Sequence, residues 1–290
     1  MFTGAFVALV TPFQDGEIDF RTLDELIDFQ LENGIDGIVP VGTTGECPTL
    51  SHEEHKKVIE RVVKAVGGHV PVIAGAGSNS TAEAIELATF SKKVGADATL
   101  QVDPYYNKPT QEGFYQHFRA IAEEVDLPVV LYDIPGRCAA GMTADTIIRL
   151  AEIENIVAVK DATGKLDHVS EIALGCDLTI LSGDDSLTLP IASVGGKGVV
   201  SVVANIVPAD VKAMTDLILQ GDLIQARQWH NKLFSLSKNL LSLATNPIPI
   251  KAAMAILEMC SEEMRLPMLP LEEDKKARLE KGLEDYGLLS

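Results

Sequence analysis

The sequence predicts an α/β fold, a (β/α)8 TIM barrel with a C-terminal helical appendage. Two observations carry this. Eight short runs of β-branched and small apolar residues recur along the chain, and after the first they begin roughly 20 to 35 residues apart, the spacing of a β-α repeat. Within a run the residues are nearly all apolar instead of alternating with polar ones, which indicates a parallel sheet covered on both faces. Eight such units in succession match a closed barrel better than a doubly wound sheet.

In chain order the strands are "AFVALV" (5–10), "GIVPV" (37–41), "PVIAG" (71–75), "ATLQV" (98–102), "PVVLY" (128–132), "IVAVK" (156–160), "LTILS" (178–182) and "GVVSV" (198–202). Pro40 fits a central strand poorly, because it has no N–H to donate to a ladder. Helix signals lie between the runs. Ser51 precedes "HEEHKKVIERVVKAV" and is answered by Glu54 three residues on, a capping box. Ser80 or Thr81 starts "AEAIELATFSKKVG", and Gly95 stops it. "TADTIIRLAEI" and "PADVKAMTDLILQG" follow the same grammar. The eighth unit closes near residue 224, so the barrel is assigned to residues 1–224. Residues 225–290, punctuated by "NPIPIK" and "RLPMLP", are expected to be helical and to pack on the barrel without forming an independent domain.

Composition narrows the function classes. Hydrophobic residues make up 46% and charged residues 23%, which is ordinary for a globular chain long enough to bury a large core. A net charge of −18 argues against nucleic-acid or anionic-membrane partners, which need a basic patch. No apolar run approaches the roughly 20 residues of a membrane span. The opening "MFTGAFVALVTPF" lacks a basic n-region and is broken by Pro12, so a signal peptide is not expected. Cys47, Cys138, Cys176 and Cys260 are scattered, with no CxxC pair and no zinc spacing, which fits a reducing, cytoplasmic compartment.

In such a barrel the residues just after the strands form the active face. That places "GTTGE" (42–46), "GAGSNST" (75–81), "DPYYNKP" (103–109), "YDIPGR" (132–137), Lys160 and "SGDDS" (182–186) around one mouth. Each has a plainer reading as well. Gly-Thr-Thr-Gly suits a tight turn, the Tyr105–Tyr106 pair suits packing or an interface, and Arg137 suits a solvated loop. His52 and His55 sit in "HEEH", which is not the HExxH zinc motif and has no third ligand nearby. Lys160 is set apart from the helix-face lysines because a buried strand delivers it to the mouth. Burial disfavours an ammonium and lowers its pKa, as an amine nucleophile requires. Position alone leaves a snorkelling or ion-paired lysine equally open.

Taken together, "VGTTGECPTLSHEEH", "PYYNKPTQEGFYQHF", "LYDIPGR", "VKDATG", "LSGDD" and "NPIPIK" resemble the dihydrodipicolinate synthase family, within the pyruvate-dependent class I aldolases. The similarity runs from "MFTG" to the C-terminal helices, in order and with matching spacing. It implies condensation of pyruvate with L-aspartate-4-semialdehyde through a Schiff base on Lys160, with no metal and no cofactor. It implies a proton relay of Tyr132, Thr43 and Tyr106, the last reaching a neighbouring subunit's site in a homo-oligomer, expected to be a tetramer built as a dimer of dimers. Thr43 and Thr44 then hold the pyruvate carboxylate, Arg137 holds that of the semialdehyde, and Gly183 and Val200 line the site. His52, His55, Asn79, Glu83 and Tyr105 match the family's L-lysine feedback site.

Departures from the family pattern are Cys47 and Pro48, Asp133 where asparagine is expected, and Cys138 where threonine is expected. Asp133 is expected to place an extra negative charge near Arg137. Other aldolases of the superfamily, sialic acid lyase or a keto-deoxy-sugar aldolase, would share Lys160, Tyr132 and "GTTGE". Arg137 and the two tyrosines favour the smaller, carboxylated aldehyde. A non-catalytic amino-acid-binding barrel would have no use for the set Thr43, Tyr106, Tyr132 and Lys160. A metal-dependent aldolase would need a His/carboxylate cluster at the mouth.

Overall fold

A computed structural model describes residues 2–289, apart from the side chains of residues 239 and 241. Eight parallel strands alternate with helices: β1 (Gly4–Ala8), α1 (Phe20–Glu32), β2 (Gly37–Val39), α2 (His52–Val66), β3 (Ile73–Gly75), α3 (Thr81–Val94), β4 (Ala98–Val102), α4 (Gln111–Glu124), β5 (Val129–Asp133), α5 (Ala144–Leu150), β6 (Ile156–Asp161), α6 (Leu166–Gly175), β7 (Thr179–Ser182), α7 (Thr188–Ser193), β8 (Gly198–Ser201) and α8 (Pro208–Leu219). A short hairpin, Phe13–Gln14 with Glu17–Ile18, follows β1. The chain ends in α9 (Leu223–Leu243), α10 (Ile248–Ile256) and α11 (Glu273–Tyr286).

The strands pair in the order β2-β1-β8-β7-β6-β5-β4-β3. A parallel bridge between Ile38 and Val72 brings the two ends of this sheet together. Pro40 explains why β2 is short. The strand stops at Val39, and the Pro40 carbonyl still accepts the Gly75 N–H at 3.0 Å. The proline thus costs no ladder bond, because the bond it makes uses only its acceptor.

Helix boundaries follow their caps. Ser51 and Glu54 exchange both bonds of a capping box at the start of α2. Gly67 and Gly95 end α2 and α3 in the left-handed conformation that glycine adopts without steric cost.

Two apolar layers result. Phe6, Val39, Ile73, Leu100, Val130, Tyr132, Ala158, Leu181 and Val200 fill the barrel's interior. A second layer packs between strands and helices. One continuous cluster of that layer joins Ala5, Val7 and Leu9 to Leu233, Leu236, Leu240, Leu279 and Leu283 of the C-terminal helices.

Candidate active site

Strand register builds the site. Across β5, β6 and β7, Tyr132 pairs with Lys160 and Lys160 with Leu181. Residues in register on parallel strands share a face, and Tyr132 and Leu181 belong to the interior cluster, so Lys160 projects into the barrel. Its side chain is 6% exposed, and Nζ stands 4.0 Å from the centroid of the Tyr132 ring. Burial lowers the Lys160 amine to about 8; Asp184 and Asp185 oppose the shift, and Arg137 adds to it. Part of the population is therefore a neutral, nucleophilic amine at neutral pH. Burial also pushes the Tyr132 phenol above its usual range, with the Thr43 hydroxyl beside it pulling the other way.

Gly183 is glycine for a packing reason. A Cβ there would lie 2.8 Å from the Ala162 Cβ, 2.9 Å from the Asp161 carbonyl oxygen and 3.2 Å from Lys160 Cε. The glycine lets the loop after β7 close against the lysine stem. Val200, on β8, is part of the interior wall.

The turn after β2 holds the hydroxyls. A narrow cavity is lined by Val41, Gly42, Thr43, Cys47, Gly77 and Tyr132 among others. Val41 adopts φ 48 and Glu46 φ 56, left-handed values that a β-branched residue in particular adopts only under constraint. Three contacts supply it. Thr11 Oγ1 donates to the Gly45 carbonyl at 2.7 Å, Asn246 Nδ2 donates to Thr44 Oγ1 at 3.0 Å, and Lys251 Nζ pairs with Glu46 at 2.6 Å. Lys251 and Glu46 are fully buried, with side chains 0% and 2% exposed.

Arg137 is exposed at the same mouth, its Nη2 donating to the Asn246 carbonyl at 2.7 Å. Its charge acts on Lys160, Tyr132 and Cys47 alike. Residues 246 and 251 of the tail thus brace both the threonine turn and the arginine. Sequence reasoning assigned them no role, and the available signal was a lysine inside the otherwise apolar "IPIKAAMAI".

Not every expected residue joins this group. Tyr106 points away, 90% exposed, on a backbone with φ 74. The feedback residues form a neighbouring set. Ser78 Oγ donates to Glu83 at 2.7 Å, and Asn79 Nδ2 donates to the Tyr105 carbonyl at 3.0 Å. Tyr105 lies close enough to Glu83 and Cys47 for both to raise its phenol, after burial. His52 is exposed at the first position of α2, while His55 is buried with Nε2 2.7 Å from the Gly75 carbonyl. A ring nitrogen facing a carbonyl must donate, so Nε2 of His55 carries a proton and is engaged in packing the turn.

Asp133 corrects an expectation. It is one residue beyond Tyr132, so its side chain turns to the outer, helix-covered face of the barrel instead of toward Arg137. Its nearest basic group is the imidazole of His168 on α6, with Nε2 at 3.3 Å. Asp161 shares that face, and Asp103, whose N–H bonds the Tyr132 carbonyl, continues the row.

Three comparisons bear on this geometry. The chain matches the Dihydrodipicolinate synthetase family model over residues 1–286. A protein of Methanocaldococcus jannaschii called 4-hydroxy-tetrahydrodipicolinate synthase is 53% identical over 290 residues, covering 100% of both chains. Among solved structures, the chloride-inhibited dihydrodipicolinate synthase of Acinetobacter baumannii complexed with pyruvate superposes with a TM-score of 0.97 at 43% identity, covering 100% of both chains. The dihydrodipicolinate synthase of Cyanidioschyzon merolae with lysine bound has a TM-score of 0.96 at 43% identity over 99% of each chain.

Proposed function

The chain belongs to the dihydrodipicolinate synthetase family, and from that membership we propose how its own residues carry the reaction. The activity is that of a 4-hydroxy-tetrahydrodipicolinate synthase: pyruvate condenses with L-aspartate-4-semialdehyde in the committed step toward diaminopimelate and lysine. The enzyme is a Schiff-base lyase that needs no cofactor.

The observation that supports the assignment best is the buried Lys160 amine over the Tyr132 ring, lowered to about 8 by burial. In the proposed sequence Lys160 Nζ attacks C2 of pyruvate and the carbonyl oxygen leaves as water, giving an iminium. C3 then loses a proton, and the enamine attacks the aldehyde carbon of the second substrate. The substrate's own amine displaces Lys160 from C2, closing the ring and freeing the lysine. Tyr132, Thr43 and Tyr106 move the protons, since each hydroxyl both donates and accepts. Thr43 and Thr44 take the pyruvate carboxylate, and the Arg137 fork takes that of the semialdehyde. Gly183 and Val200 shape the wall. Replacing Tyr132 by Phe is expected to lower kcat roughly 10²- to 10⁴-fold while pyruvate still forms its adduct; unchanged kcat removes Tyr132 from the relay.

Regulation and assembly belong to the same reading. L-lysine is proposed to bind at His52, His55, Asn79, Glu83 and Tyr105, its ammonium facing Glu83. Inhibition by millimolar lysine that Glu83→Gln weakens supports this, and activity unmoved by lysine contradicts it. A homotetramer, a dimer of dimers, is proposed from the family resemblance, and a Tyr106 that is 90% exposed on left-handed backbone is placed where a neighbouring chain can reach it. The cytoplasm is the proposed compartment, consistent with four cysteines that remain separate thiols.

A further inference from the structure

The row of acids behind the catalytic strands has no part in that mechanism. Asp103, Asp133 and Asp161 follow Val102, Tyr132 and Lys160, which are in register on β4, β5 and β6. Register therefore sets three carboxylates side by side on the barrel's outer face, all three buried. Two of them have donors. Asp103 accepts the Ile134 N–H at 3.3 Å, and Asp161 accepts the Thr163 N–H at 3.2 Å and its hydroxyl at 3.0 Å. Asp133 has none: its side chain is 1% exposed, and neither oxygen accepts a hydrogen bond among the described residues. A buried carboxylate without such donors is stabilised by a positive charge or by a proton shared with a neighbouring carboxyl. Asp103, its pKa raised by burial and by the Asp133 charge, meets one side of Asp133, and the side toward His168 is left for a cation.

We propose that Asp133, Asp161 and His168 bind one divalent transition-metal ion of the zinc type, as a structural site behind the Tyr132–Lys160 row. One ligand atom from each lies within 4.8 Å of the others. His168 Nε2 is 3.3 Å from Asp133 Oδ2 and 3.7 Å from Asp161 Oδ2. Those separations are long for charge-assisted hydrogen bonds, which run about 2.7–2.9 Å, and the imidazole nitrogen makes no hydrogen bond among the described residues. Ligands about 2.1 Å from a tetrahedral ion stand roughly 3.4 Å apart, which the observed spacings bracket.

One imidazole with two carboxylates suits zinc, cobalt or manganese better than the all-oxygen cations calcium and magnesium. An entry path exists, because His168 forms part of the wall of a surface cavity of about 660 Å³ with Met142, Thr143, Lys165 and Glu171. A water can complete the coordination from that side. The ion would neutralise the Asp133 charge and tie the ends of β5 and β6 to α6.

The test uses the full chain, stripped with chelator and titrated with Co²⁺ and with Zn²⁺. The site predicts saturable uptake of one equivalent, visible Co²⁺ absorption bands, and a thermal midpoint raised by Zn²⁺. It also predicts at least tenfold weaker binding in Asp133→Asn and in His168→Gln. The second substitution is at a partly exposed position, so it reports even if the first fails to fold. No saturable uptake, or uptake unchanged in His168→Gln, overturns the proposal and leaves a protonated His168 as the counter-charge of Asp133.

Discussion

Lys160 shows how one residue's chemistry follows from its place in a strand. The same position that buries the amine also makes it reactive, because an ammonium loses its hydration there while a neutral amine loses little. The neutral fraction grows as pH rises, with its midpoint at about 8. The rate of pyruvate adduct formation is therefore expected to climb from pH 6.5 to 8.5 and to level off above, as a stopped-flow or quench series would record. A rate that is flat across this range contradicts a lowered amine. The sequence already showed Lys160 at a strand tip, since an apolar run ending in lysine is readable without coordinates. It could not show which way Asp133 turned in relation to Arg137. That depends on strand parity at the barrel mouth, where the run's last residue is ambiguous by one.

The turn from Val41 to Glu46 is an element held from outside. Its left-handed residues would relax unless fixed, and the fixing comes from Thr11, Asn246 and Lys251. The Lys251–Glu46 pair is out of contact with water, so removing one partner leaves a buried charge uncompensated. Lys251→Met is expected to destabilise the fold by about 3–5 kcal/mol in denaturant unfolding. The double variant Glu46→Gln/Lys251→Met should recover much of that loss. If the two substitutions simply add, the pair is not the unit described. The strand and helix positions were legible because period and capping are local. The brace was not, because its contacts join residues 34, 202 and 205 positions apart, and no local pattern ties a turn to a distant segment.

At the scale of the molecule, the last helices share one apolar cluster with β1. We propose that residues 225–290 fold as part of the barrel. A chain ending at residue 224 is then expected to lose cooperative thermal unfolding, and a truncated chain that melts like the full one contradicts this. Tyr106 sets a second whole-molecule expectation. If it serves a neighbour's site, mixing Tyr106→Phe with Lys160→Ala chains under subunit exchange restores activity, since hybrid pairs contain one intact set. Inactive mixtures with demonstrated exchange contradict the shared site.

The central claim is that Lys160 is the carbon–nitrogen bond-forming group, and borohydride reduction in the presence of pyruvate tests it most directly. Peptide mass mapping should find the reduced adduct on Lys160 in the native protein and no adduct in Lys160→Ala. An adduct on another lysine, or none in the native protein, would contradict the account.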